Sequence, residues 1–248
     1  MKSMPPSVNY HLIQQCNMKC RYCYATFNDV VRDVLPRGHL GKDRALELVA
    51  RIAPFFAKIT FAGGEPTLSP FWLDLVREAK RHGLVTMLVT NGTRLSPALL
   101  DELEGQLDWL TLSIDSASDE THRAIGRSSS GGPIPRAGYV EIVHRARRAG
   151  MRLKVNTVVT SANQEEDLSS LVSELAPERW KVLRALPIEG QNDGRIEPLL
   201  VSAEAFARFV ARHRGLAERG IAMVPEDHDD IQGSYAMIDP AGRFFDDI

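Results

Sequence analysis

The stretch "CNMKCRYC", residues 16–23, holds all three cysteines of a 248-residue chain. It follows "VNYHLIQ" (8–14), whose apolar and polar residues alternate as in a β-strand. A strand that delivers its thiols to the loop at its carboxyl end has the layout of an α/β protein, in which chemistry gathers where parallel strands stop.

Working outward, five more strand patterns follow: "KITFAG" (58–63), "VTMLVTN" (85–91), "WLTLSID" (109–115), "RLKVNTVVT" (152–160) and "RWKVLRALPI" (179–188). Between them lie helical patterns: "KDRALELVARIAPFF", "PFWLDLVREAK", "SPALLDELEGQ", "YVEIVHRARRAG" and "EEDLSSLVSELA", several opened by Ser or Asp caps. One more, "SAEAFARFVARHRGLAERG", follows the sixth strand. Alternation of this kind predicts an α/β fold with a parallel sheet, a partial (β/α)6 barrel in a single domain, with a doubly wound open sheet as the alternative. The expected organisation is a tail at 1–7, the barrel at 8–190 and an extension of a helix and short strands at 191–248.

Composition narrows the function classes. A charged fraction of 25% with 44% hydrophobic residues is that of a globular domain, and a net charge of -2 gives no general field for nucleic acid or an anionic membrane. Neither a signal peptide nor a transmembrane stretch is visible, so a cytoplasmic protein with reduced thiols is expected.

Strand parity then says what the barrel encloses. Asn9 and His11 alternate with Val8, Tyr10 and Leu12, Lys58 and Thr60 with Ile59 and Phe61, and Thr111, Ser113 and Asp115 with Leu110, Leu112 and Ile114. Lys154 and Asn156 alternate with Leu153, Val155 and Thr157, and Arg179 and Lys181 with Trp180 and Val182. Polar residues thus fall on the inward parity, including the four cations Lys58, Lys154, Arg179 and Lys181. Unpaired buried cations are expensive, so the cavity is expected to hold a polyanion.

Three readings compete for Cys16, Cys20 and Cys23: a zinc site, an iron-sulfur cluster with one iron left open, and buried thiols. Structural zinc takes four protein ligands and no second cysteine pair exists, whereas a cluster held by three thiolates leaves one iron for an external ligand.

The CxxxCxxC spacing with Tyr22 before the last cysteine resembles the signature of the radical S-adenosylmethionine (SAM) superfamily. "GGEP" (63–66) is similar to that family's SAM-binding element. Finer resemblance is to the viperin family, through "FAGGEP", "TNG", "LSIDS", "IGR", "KVNTVV", "RWKVLRALPIEGQN" and "GSYAMIDPAGRFF". The resemblance implies a [4Fe-4S] cluster on Cys16, Cys20 and Cys23. It implies SAM held by Gly63, Gly64, Glu65, Asn91, Ser113 and Arg127, and a nucleoside triphosphate held by Asn9, His11, Lys58, Lys154, Asn156, Arg179 and Lys181.

It further implies a SAM-dependent nucleotide dehydratase, a lyase making a 3'-deoxy-3',4'-didehydro nucleotide from CTP, UTP or GTP, as an antiviral (antiphage) defence. An electron donor such as flavodoxin or ferredoxin is implied, with no nucleic acid or membrane partner. Animal members carry an amino-terminal amphipathic helix and a longer carboxyl-terminal segment with a tyrosine near the reacting sugar, whereas this sequence stops at "GRFFDDI". Another radical SAM enzyme, maturing a cofactor or peptide, or a non-enzymatic metal module remain the alternative readings.

Overall fold

The computed structural model describes residues 6–231 and 235–245, so residues 1–5 of the expected tail lie outside the described residues. The six expected strands are present as β1 (Ser7–His11), β2 (Lys58–Ala62), β3 (Val85–Thr90), β4 (Trp109–Ser113), β5 (Arg152–Val159) and β6 (Arg179–Arg184). Each runs parallel to the next, with Asn9 opposite Thr60, Thr111 opposite Lys154 and Asn156 opposite Lys181. The order follows the sequence without reversal across these strands, which excludes the doubly wound alternative, since that topology needs a switch point.

Helices α1 (Lys42–Ile52), α2 (Trp72–Arg81), α3 (Pro97–Glu102), α4 (Asp119–Ala124), α5 (Arg136–Arg148), α6 (Ser169–Leu175) and α7 (Ala203–Arg212) connect or follow these strands. Ser96, Ser118 and Ser202 accept the backbone N–H of Leu99, Thr121 and Ala205, satisfying donors that the first turns of α3, α4 and α7 leave open. α1 stops before the end of its apolar pattern because Pro54 cannot continue the hydrogen-bond ladder. α4 is absent from the sequence reading: "DETHRA" is too short and polar to show a helical stripe.

The outward parity forms the core. Val8, Tyr10, Ile59, Phe61, Leu110, Leu112, Leu153, Val155, Trp180 and Val182 are all buried in one cluster with the apolar faces of the helices. Each large side chain so buried contributes roughly 1.5–3 kcal/mol, which fixes the register, because a one-residue slip would drive the cations into that core.

Further strands lie in the extension at 191–248, where short strands were expected. β7 (Ala222–Glu226) continues the parallel sheet beyond β6, while β8 (Ala236–Ile238) pairs in parallel with the other side of β1 and carries the antiparallel β9 (Phe244–Phe245). The order is β7-β6-β5-β4-β3-β2-β1-β8-β9, a mostly parallel sheet not closed into a barrel. Pro225 marks β7 as a non-strand in sequence, yet an edge strand tolerates a residue that cannot donate to a neighbour. The sheet is nevertheless strongly curled: Tyr235, the residue before β8, donates a 2.6 Å hydrogen bond to Glu226 at the end of β7.

Candidate active site

The loop after β1 is held by backbone on both flanks. Gly64 and Glu65 donate to the carbonyls of Ile13 and Gln15 at 2.7 and 2.8 Å, and Lys19 and Arg21 donate to those of Gly126 and Ile125 at 3.2 and 3.0 Å. A Cβ on Gly64 would overlap the Gln15 carbonyl oxygen, and one on Gly126 would overlap that of Lys19. The "GGEP" glycines therefore admit the cysteine loop itself. Inside this clamp the N–H of Met18 points at the Cys16 sulfur at 3.4 Å, and Cys23 N–H donates to the Cys20 carbonyl at 3.2 Å. A cavity of about 400 Å³ opens on Cys16, Cys20, Cys23 and Gly64.

Side chains of the expected SAM set largely brace that loop. Glu65 is 1% exposed, and its carboxylate accepts from Thr67 N–H (3.1 Å), the Thr67 hydroxyl (2.6 Å), the Thr90 hydroxyl (2.7 Å) and Asn91 N–H (2.8 Å). Burial still holds its carboxyl above the ordinary range. Asn91 donates to Asn17 Oδ1 at 2.8 Å and accepts from Thr93, so it grips the loop between Cys16 and Cys20. Arg127 is buried and ion-paired to Asp115, which also accepts the Tyr22 hydroxyl and, at 2.7 Å, the N–H of Val158. Arg127 Nη1 donates to the Ser113 carbonyl at 3.3 Å, and burial pushes the Cys16 and Cys23 thiols up, against a smaller opposing effect of the Arg127 charge.

The inward cations are brought together. Lys154 is pushed down to about 7, first by burial and then by the charges of Lys181, Arg179 and Lys58. Lys58 is lowered by burial and by Arg179 and Lys181. Lys58 on β2 and the β6 pair are four strands apart, about 19 Å along a flat sheet, so their mutual repulsion reflects the curl. Beside them the Oδ1 of Asn156 and the hydroxyl of Thr111 are buried with no partner. Asn9 is half-buried on the same parity.

His11 is set apart. It is 2% exposed, enclosed by Phe27, Phe245 and Tyr24 with ring centroids at 4.9, 5.8 and 6.5 Å, and both ring nitrogens lack a partner. Burial pushes it down to about 4, so it is neutral.

The model of the Radical SAM superfamily matches residues 10–175. The chain belongs to that superfamily. A protein of Flammeovirga pacifica named S-adenosylmethionine-dependent nucleotide dehydratase is 46% identical over 97% of this chain and 82% of its own length. One of the same name from Lacinutrix mariniflava is 46% identical over 97% of this chain, which spans half (50%) of that relative. Among solved structures, anSMEcpe with bound AdoMet superposes with a TM-score of 0.73 at 16% identity, covering 97% of this chain and 74% of that one, a likeness of fold.

The radical SAM superfamily uses a [4Fe-4S] cluster and SAM, and the cysteine loop fits them. Burial, and then the charge of Cys20, push the Cys23 thiol up to about 11, and burial also raises Cys16, so these two thiols resist ionising until a cation joins them, which iron would supply.

Sequence reading missed several residues of this radical SAM site. Gln191 accepts Thr26 N–H (3.0 Å), the Thr26 hydroxyl (2.7 Å) and Phe27 N–H (2.9 Å), while Asn192 donates to the Tyr22 carbonyl at 3.3 Å, so "EGQN" buckles the far side of the cysteine loop. Glu226 and Tyr235 join Lys181, with the carboxylate 2.6 Å from its ammonium. Tyr235 thus stands among the cations; Gly233 and Ser234 of the "GSY" motif lie outside the described residues.

Proposed function

We propose that this protein is a radical SAM nucleotide dehydratase, removing water from a ribonucleoside triphosphate to leave its 3'-deoxy-3',4'-didehydro analogue. The observation that carries the reading is the convergence of Lys58, Lys154, Arg179 and Lys181 on the inner face, where, after burial, the charges of Arg179 and Lys181 lower the proton affinity of Lys58 and Lys154. A triphosphate supplies the missing negative charge, and the names of the relatives agree with it.

When bound, the cluster and SAM supply a 5'-deoxyadenosyl radical. The work of the chain is positional. Cys16, Cys20 and Cys23 would ligate the cluster, the backbone of Gly63, Gly64 and Glu65 would face SAM, and Arg127 with Ser113 would meet its carboxylate and ribose. Asn91 and Glu65 would act through the loop they brace. The four cations, with Asn9 and Asn156, would fix the phosphates so that the ribose C4' hydrogen lies toward the cofactor; once that hydrogen atom is lost, the 3' hydroxyl would leave with a proton as water, and one electron from the donor would complete the didehydro nucleotide. His11, sealed by aromatic rings, would shape the wall. The setting would be the cytoplasm, with flavodoxin or ferredoxin as electron donor and an antiphage role; no helix among the described residues is long and apolar enough to cross a membrane.

The test is anaerobic reconstitution, reduction, and incubation with SAM and each of CTP, UTP, GTP and ATP, followed by mass analysis. A nucleotide product lighter by one water is expected. SAM cleavage that proceeds while all four nucleotides stay unchanged would transfer the chain to the cofactor- or peptide-maturing class.

A further inference from the structure

The four cations are not equivalent. Lys181 and Glu226 are 9% and 12% exposed at their side chains and ion-paired at 2.6 Å, whereas Lys154 forms no ion pair with a carboxylate among the described residues and is reached only by the charge of Glu226. Glu226 stands opposite Leu183 in the β6–β7 register, on the same parity as Lys181, so it faces into the site. It also accepts the Tyr235 hydroxyl at 2.6 Å, and Lys181 donates to that hydroxyl while lying 4.5 Å from the centre of the ring. These three side chains come from β6, from the β7 edge and from the approach to β8 at the other end of the sheet. Among the described residues the β7 and β8 ends are not paired as strands, so side chains join them here.

We infer that Glu226 is a positioning residue of the substrate site: it ties Lys181 and Tyr235 together across the gap between the sheet ends while neutralising one of the four cations that receive the triphosphate. The inference rests on the proposed nucleotide function. A carboxylate touching a phosphate-binding lysine repels the incoming phosphate and competes for the same ammonium. Glu226 therefore weakens nucleotide binding and orients what is bound. A residue kept only for stability would do neither.

The experiment measures CTP and inorganic tripolyphosphate affinity by calorimetry for the reconstituted wild type, E226Q and E226A, with the ratio of 5'-deoxyadenosine to nucleotide product alongside. Both variants should bind triphosphate about tenfold more tightly and waste more SAM per product. In a K181M background, E226Q should give no tightening. Wild-type protein that binds no triphosphate overturns the nucleotide function and this inference with it. Wild-type binding that is unchanged or weakened in both variants overturns the inference alone. Variants that lose their folded melting transition also overturn it, by assigning Glu226 to holding the sheet ends.

Discussion

Replacing Lys154 by methionine should make the nucleotide-free protein more stable and the nucleotide complex weaker, both effects fading as pH rises. In the folded chain Lys154 is pushed from 10.5 down to about 7, by burial first and then by Lys181, Arg179 and Lys58, against a smaller opposing effect of Glu226. A folded-state value below the unfolded one means the unfolded chain binds the extra proton. The destabilisation is therefore present in full below pH 7 and is relieved as pH rises toward 10.5. That gap corresponds to about 5 kcal/mol, of which water reaching the half-buried amine leaves about 2–5 kcal/mol to be recovered by K154M near pH 6. A bound triphosphate restores the proton. Between pH 7.5 and 8.5, where the triphosphate is fully ionised, wild-type affinity should fall about eightfold with uptake of a proton on binding. Chemical denaturation of both proteins from pH 6 to 9, and calorimetry in buffers of different ionisation enthalpy, read these out. A stability difference that stays flat over that range, or nucleotide binding without proton uptake, would refute the argument.

Two further predictions concern the cysteine loop. Gly126→Ala places a methyl group on the Lys19 carbonyl at a φ of +79°, so it should cost more than about 2 kcal/mol and lower iron content on reconstitution; full iron content with unchanged melting would show that the loop accommodates it. Gln191→Ala leaves the Thr26 and Phe27 N–H groups without their acceptor, and should cost about 1–3 kcal/mol and speed loss of the cluster absorbance under chelator, whereas a chelation rate equal to wild type would remove Gln191 from the loop's support.

Sequence pattern carried the fold as far as the pattern was long. Lys154 and Asn156 between Leu153, Val155 and Thr157 could be placed because an eight-residue strand gives several turns of the same alternation, whereas β8 has three residues and β9 two, too few to show any. β7 was hidden by Pro225, whose edge position is a fact of topology. For the site, the three cysteines and the four cations were legible because each needs only spacing or parity. Glu226 and Tyr235 were not, since their importance depends on two sheet ends meeting. Nor could Glu65 and Asn91 be read as braces: their partners Thr90 and Asn17 lie far away in sequence, and a motif quotes the residue without saying where its oxygens go.

The two halves of the site are built by different physics, and this bears on how each responds to mutation. The cysteine loop is positioned by backbone hydrogen bonds to Ile13, Gln15, Gly126 and Ile125 and by buried carboxylates with every oxygen engaged, so its geometry is set before any cofactor arrives. The cation wall is the reverse. Its charges repel one another, Asn156 and Thr111 leave polar atoms unpaired, and Glu226, ion-paired to Lys181, opposes the crowding at Lys154 only in small part. A bound anion relieves strain of that kind, as does loss of the Lys154 proton at higher pH, so under the proposed function triphosphate binding and folding would be linked through the wall and scarcely through the loop. A triphosphate should therefore raise the melting temperature by an amount that shrinks when a wall cation is removed.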